Sequence, residues 1–225
     1  LAGDLPETRA TTRASNLAAL LPFEKNERIV GLFPDEEDGD YYFYLKNGNV
    51  KRTSCADYGV RTKRTAAVSL RDRDRVLGVE QKVADSILLV TKLGMSIRFA
   101  TDSVPSMGRV SGGVKCIKLE KGDEVIFAAQ LPDDGEVLTV TDKGFGKRSP
   151  MFEYDPQGRN GKGLKTFDLK KNGANGTCIA AVMHLPEPKD VIVVQRHGTR
   201  TAINTGDVHI EARAGRGSML VAVVL

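Results

Sequence analysis

Apolar and polar positions along this chain do not follow a helical period. Short β-rich apolar runs stop at a glycine, reverse and resume, and they do so four times: "YYFYLKNGNVKRT", "ILLVTKLGMSIRFA", "VLTVTDKGFGKRS" and "VIVVQRHGTRTAI". The turn glycines are Gly48, Gly94, Gly144 and Gly198. Asn47-Gly48 and Lys143-Gly144, set between β-branched and aromatic residues, predict tight hairpins, because glycine supplies the positive φ that strand reversal demands.

Each hairpin is followed by a second stretch, basic and rich in small residues: "VRTKRTAAVSL", "MGRVSGGVKCIKL", "QGRNGKGLKTFDL" and "ARAGRGSMLVAVVL". Three of these continue into an apolar third strand, "RDRVLGVE", "GDEVIFAAQ" and "GTCIAAVMHL". The opening "TRASNLAALLPFEKNERIVGLF" matches the second and third parts, so residues 1–33 read as a repeat without its hairpin. The stretch 10–21 has some helical character, but its alignment with "RTKRTAAVSL" favours a strand.

The period is about fifty residues, and a unit of about four short strands cannot bury its apolar faces alone. Neighbouring units must stack, as in a propeller. The expectation is one all-β, propeller-like domain over residues 1–225 with four to five blades, from repeats near 1–33, 41–81, 86–130, 136–185 and 190–225.

Composition narrows the classes. The chain has 225 residues, a net charge of +4 and three cysteines. Cys55, Cys116 and Cys178 form no C-x-x-C pair, so neither a disulfide framework nor a zinc site is encoded and small buried hydrophobes are expected. No run approaches the roughly 20 apolar residues of a membrane helix, and no charged-then-apolar leader opens the chain. A soluble, cytoplasmic protein is the expectation. The start at Leu1 and the apolar finish "SMLVAVVL" suggest a segment cut from something longer.

Charge is distributed by place within the repeat. The connections between repeats are acidic and proline-marked: "PDEEDGD" at 34–40, "PDDGE" at 132–136 and "PEPKD" at 186–190. Basic residues follow the turn glycines: Lys51 and Arg52, Arg98, Lys147 and Arg148, and Arg200. More crowd the second stretch: Arg61, Lys63 and Arg64; Arg109 and Lys115; Arg159, Lys162 and Lys165; Arg213 and Arg216. Repetition at one place in successive units suits a curving polyanion whose phosphates are neutralised in turn.

Catalytic patterns are not evident. "QGRNGKG", Gln157–Gly163, fails as a P-loop because Gly163, not Ser or Thr, follows Lys162. It fails as G-x-G-x-x-G as well. His184, His197 and His209 stand apart without a carboxylate cluster at ligand spacing. No G-x-S-x-G elbow or H-E-x-x-H helix is visible, and Tyr41, Tyr42 and Tyr44 read as packing residues. No catalysis is expected from this chain alone.

The linked pattern "LLVT..G", "R..G.GV..I.L" and "GDEVI.A", nearly complete in "SILLVTKLGMSIRF" with "GGVKCIKLEKGDEVIFAA", resembles the C-terminal domain of the A subunits of bacterial type IIA topoisomerases, DNA gyrase and topoisomerase IV. The resemblance covers essentially the whole chain. It implies a β-pinwheel, a propeller-like disc whose blades exchange strands, that binds and bends duplex DNA without sequence preference around a basic perimeter. As partners it implies duplex DNA, the breakage-reunion core of the same polypeptide and the ATPase B subunit of a heterotetramer, in the bacterial nucleoid. ATP and magnesium would belong to the parent enzyme, and this domain would hold no cofactor or metal. "QGRNGKG" resembles the gyrase box Q-R-R-G-G-K-G at Gln157, Arg159, Gly161, Lys162 and Gly163, departing at Gly158 and Asn160. It also sits in the third hairpin repeat, whereas the gyrase box belongs early in the domain. Those departures favour a topoisomerase IV type over a gyrase that wraps DNA for negative supercoiling. A protein-interaction propeller is the alternative of another class.

Overall fold

The computed structural model describes residues 27–33, 38–60, 62, 64–71 and 73–222. The stretch 10–21 and the candidates Arg61 and Lys63 lie outside the described residues.

Hairpins form where the sequence reverses at glycine. They are β1 (Asp40–Leu45) with β2 (Asn49–Ser54), β4 (Ser86–Thr91) with β5 (Met95–Ala100), β8 (Glu136–Thr141) with β9 (Phe145–Pro150), and β12 (Asp190–Val194) with β13 (Arg200–Asn204). The third strands β3 (Val76–Gln81), β7 (Val125–Leu131) and β11 (Ile179–Leu185) run antiparallel to β1, β4 and β8 of their own repeats. The short strands β6 (Val114–Lys115), β10 (Leu164–Lys165) and β14 (Ser218–Met219) behave differently. Each crosses to the preceding repeat, pairing with β2, β5 and β9 respectively. The result is three four-stranded antiparallel sheets, β3-β1-β2-β6, β7-β4-β5-β10 and β11-β8-β9-β14, and the hairpin β12-β13.

The core lies between the sheets. Strand β4 is buried on both faces, which is why "SILLVT" reads as a continuous apolar run rather than an alternation. Ile87 and Leu89 pack on Tyr42, Tyr44, Val50 and Ile117 of the sheet before. Leu88 and Val90, pointing the other way, pack with Val137, Met151 and Tyr154 of the sheet after. Leu138, Val140, Leu185 and Val208 form the next interface. Each fully buried Leu or Ile contributes roughly 1.5–3 kcal/mol, and truncating one to Ala costs about 2–5 kcal/mol. Tyr42 and Tyr44 are core residues at 0% and 1% exposure, in keeping with a packing role.

Two edges of this stack differ in what they carry. Strand β7 lies against both β3 and β11, so third strands gather at the inner edge. The crossover strands occupy the opposite, outer edge of each sheet.

Candidate nucleic-acid interface

Three of the four basic second stretches, those that begin at Met107, Gln157 and Ala212, are the crossover loops. Each begins by docking on the preceding blade: Met107 N–H donates to Arg52 O at 3.0 Å, Gln157 N–H to Arg98 O at 2.7 Å and Glu211 N–H to Arg148 O at 2.9 Å. Each ends at that blade's turn, where Cys116, Thr166 and Leu220 N–H groups donate to the carbonyls of Gly48, Gly94 and Gly144. In between stand Gly113, Gly163 and Gly217, with φ of 74°, 75° and 67°. A Cβ at Gly113 would lie 2.7 Å from Val50 O, one at Gly217 would lie 2.9 Å from Gly146 O, and one at Gly163 would collide with Ser96 O. Glycine is required there for backbone sign and for close approach. The final glycine of "QGRNGKG" therefore makes a strand crossover, not a phosphate cradle. Asn160 adopts φ 65°, a left-handed conformation that Asn tolerates, so its departure from glycine leaves the loop path intact.

The structure divides the expected basic residues into three groups, and the first faces inward. Lys51 and Lys147 are 0% exposed, and Arg98 and Arg148 are 4% and 7% exposed. Lys51 Nζ donates to Ala67 O at 2.5 Å, to Tyr58 Oη at 3.3 Å and to Arg109 O. Lys147 Nζ donates to Ser149 Oγ and lies 5.8 Å from the Phe167 ring centroid. Burial pulls both ammonium groups down to a pKa of about 8. Arg148 donates to Glu136 Oε2 at 2.5 Å and to the carbonyls of Gly206 and Val208, each at 3.0 Å. Arg98 donates to Ser86 Oγ at 2.9 Å and pairs with Asp133. These four cannot meet phosphates without dismantling the blade, which removes them from the expected contact surface. Hairpin register is the cause: residues three and four past the turn glycine face the two packed sides of the sheet, not the outer edge.

Arg52, Arg109 and Arg213 are half-buried clamps. Arg52 pairs with Asp40 at 2.8 Å and Asp102 at 3.5 Å. Arg109 Nη1 donates to Asp57 O at 3.2 Å, and Arg213 Nε to Glu153 O at 3.0 Å, each joining one repeat to the one before. The acids of the inter-repeat connections thus answer the arginines at the end of the hairpin, a relation that charge pattern alone did not lead us to expect. The sequence does carry a signal for it: Asp40, Ser86 and Glu136 stand eight residues before the turn glycines whose arginines lie four after.

The third group is at the surface. Lys115, Lys162, Lys165, Arg200 and Arg216 are exposed, while Gln157 and Arg159 are partly so. Lys115 and Lys165 occupy equivalent crossover strands, and Lys162 and Arg216 both immediately precede the crossover glycine. Lys165 and Arg216 share Asp168, at 2.9 and 2.8 Å, and their hydrogen bonds hold its carboxyl below the usual carboxylate range. Arg64 is exposed and pairs with Glu27 at 2.6 Å. Arg200 lies two residues past Gly198, on β13, at the position Val50, Ser96 and Gly146 take in the other blades. The outer edge thus brings together Lys115, Gln157, Arg159, Lys162, Lys165 and Arg216, and leaves Arg64 and Arg200 apart.

Among the described residues no group of three or more His, Cys, Asp or Glu is placed to hold a metal. His184 Nε2 bonds to Asp134 O at 2.9 Å. Cys55 and Cys116 are buried and Cys178 is half-buried, all as free thiols. No helix among the described residues is long and apolar enough to cross a membrane.

The family model for the DNA gyrase C-terminal domain, beta-propeller, matches residues 46–81, 85–132 and 135–176, more than half of the chain. The chain belongs to this family. Similar curated proteins include the DNA gyrase A subunits of Escherichia coli (strain K12), 31% identical over 222 residues, and of Thermotoga maritima, 33% identical over 225. Each alignment takes in 96% of this chain but only 25% and 28% of those proteins. This gyrase-family C-terminal domain thus spans about a quarter of the length of the curated relatives it matches. Its fold is similar to a crystal structure of the C-terminal domain of DNA topoisomerase IV, with TM-score 0.89 and 22% identity over 98% of this chain and 70% of that one. A DNA gyrase A C-terminal domain follows at TM-score 0.79 and 19% identity, over 95% of this chain and 72% of that one.

Proposed function

We propose that this domain binds duplex DNA along its outer blade edges and bends it, without reading sequence, as part of the A subunit of a type IIA topoisomerase. The observation that carries this reading is the recurrence of exposed cations on the crossover: Lys115 and Lys165 on equivalent strands, and Lys162 and Arg216 before equivalent glycines. Bending a 20–30 bp site by 40–90° costs on the order of 1–6 kcal/mol. Single phosphate contacts do not cover that, so several blades must act together. Phosphate contacts position DNA without carrying base information, so sequence preference is slight.

In the parent protein the disc would present the transported segment to the breakage-reunion core. The ATPase B subunit, with ATP and magnesium, would act elsewhere in the assembly, in the bacterial cytoplasm. A topoisomerase IV type remains the first reading, supported by Gly158, which leaves the box one cation short. The gyrase reading is favoured by the curated relatives from Escherichia coli and Thermotoga maritima, both gyrase A proteins. Ligating nicked plasmid with the domain bound separates them, since a chiral wrap shifts the linking number and simple bending does not.

The test of DNA binding is the affinity for a duplex of about 40 bp across a salt series. With 6–10 phosphate contacts, affinity falls roughly 10³- to 10⁵-fold between 50 and 200 mM salt. Weak, salt-insensitive binding would instead leave a protein-interaction propeller.

A further inference from the structure

The turn that carries β10 into β11 is built around one buried amide. Asn175 is 1% exposed; its Oδ1 accepts from Lys170 N–H at 2.8 Å, and its Nδ2 donates to Asp168 O and Arg216 O, each at 3.0 Å. One side chain therefore ties the third repeat's turn to the fourth repeat's crossover loop. Gly173 N–H closes the turn on Lys170 O at 2.8 Å, and Lys143 Nζ lies 3.9 Å from where a Cβ on Gly173 would stand.

The nearby acids are already engaged. Asp142 accepts from Thr177 N–H at 2.8 Å and Thr177 Oγ1–H at 2.6 Å, and Asp168 takes Lys165 and Arg216. Among the described residues Lys143, Lys170 and Lys171 form no ion pair, and Lys170 and Lys171 are exposed. The corresponding turn of the second repeat differs: Lys118 and Lys121 share "KLEKGDE" with Glu120, Asp123 and Glu124, so its two cations are outnumbered by three carboxylates.

We propose that the turn at 168–176, braced by Asn175, is a DNA-anchoring site in which Lys143, Lys170 and Lys171 hold phosphates of a duplex running past Lys165 and Arg216. None of these three lysines belongs to the basic set expected from the sequence. The inference rests on the DNA-binding reading and deepens it: anchoring is uneven around the disc, strong at the third blade and weak at the second. A pre-ordered turn also reduces the ordering cost of binding. Asn175 is a positioning residue, since its amide is spent on backbone.

The experiment measures duplex affinity across a salt series for wild type, Lys170→Glu/Lys171→Glu and Lys118→Glu/Lys121→Glu, with circular dichroism confirming folding. The site predicts at least a tenfold loss and a log–log salt slope shallower by about 2 for the first pair, from about 0.9 per phosphate contact, and a much smaller change for the second. Asn175→Ala, if folded, should weaken binding without removing a charge. Wild type lacking salt-dependent binding would sink the DNA-binding reading and this site with it. Steep wild-type binding with an unaffected Lys170→Glu/Lys171→Glu protein, or equal losses in both pairs, would sink the site alone.

Discussion

Arg148 Nη1 donates to Glu136 Oε2 at 2.5 Å, joining the end of one hairpin strand to the start of the other, while the rest of its guanidinium caps two carbonyls of the next repeat. Arg52 with Asp40, and Arg98 with Ser86 and Asp133, repeat the arrangement in the two blades before. These arginines hold blades together. Arg148→Met should destabilise the domain by about 1–3 kcal/mol, because it leaves the part-buried Glu136 carboxylate and the carbonyls of Val208 and Gly206 without this donor. Urea denaturation would measure that loss. DNA affinity per folded molecule should stay near wild type, and a large selective loss of affinity would return Arg148 to the contact surface.

Two glycines of one loop should respond oppositely. Gly163→Ala places a Cβ against Ser96 O at φ 75°, so strain of roughly 1–3 kcal/mol is expected, read as a lower melting temperature. Gly158 has nothing within 4 Å of a built Cβ and φ is not positive there. Gly158→Arg should therefore leave stability unchanged, restore the cation of the gyrase pattern, and steepen the salt slope by about 0.9 if the new side chain reaches a phosphate. An unchanged slope would place position 158 away from the DNA path.

Lys147 gives the domain a pH signature. Burial lowers its folded pKa to about 8, against about 10.4 in an unfolded chain. Between those values the unfolded state carries the extra proton, so the stability this group contributes rises with pH; it is fully present above the unfolded value and lost as pH falls through about 8. Ile97 occupies the same place in the second blade, so Lys147→Ile is a conservative probe of the site. The difference in unfolding free energy between wild type and Lys147→Ile should change by roughly 1.4 kcal/mol per pH unit from 8 to 10. A flat difference would mean that the ammonium is hydrated in the folded protein.

The hairpins were legible because apolar β-rich runs, turn glycines and spacing agree, and Gly48, Gly94 and Gly144 turn where expected. The third strands were legible for the same reason. Which sheet a second stretch joins was not carried by residue pattern: "GLK" at 163–165 would suit its own hairpin as well as the preceding one, and the crossover came from the family resemblance. Which of the candidate basic residues reach the surface was only half legible. Charge marks Lys51, Arg98, Lys147 and Arg148 as strongly as Lys115 and Lys162, but two-residue periodicity in a sheet packed on both faces turns the first four inward. The braced turn is not legible in the sequence because its organiser, Asn175, is an uncharged residue in an ordinary loop composition.

The most direct measurement compares duplex binding by wild type and by a folded Lys115→Glu/Lys162→Glu/Lys165→Glu variant, whose changes all lie on the outer crossover edge. The account predicts a loss of affinity well beyond tenfold and a salt slope shallower by about 3, near 0.9 for each phosphate contact removed. Wild-type affinity and slope in that variant would contradict it.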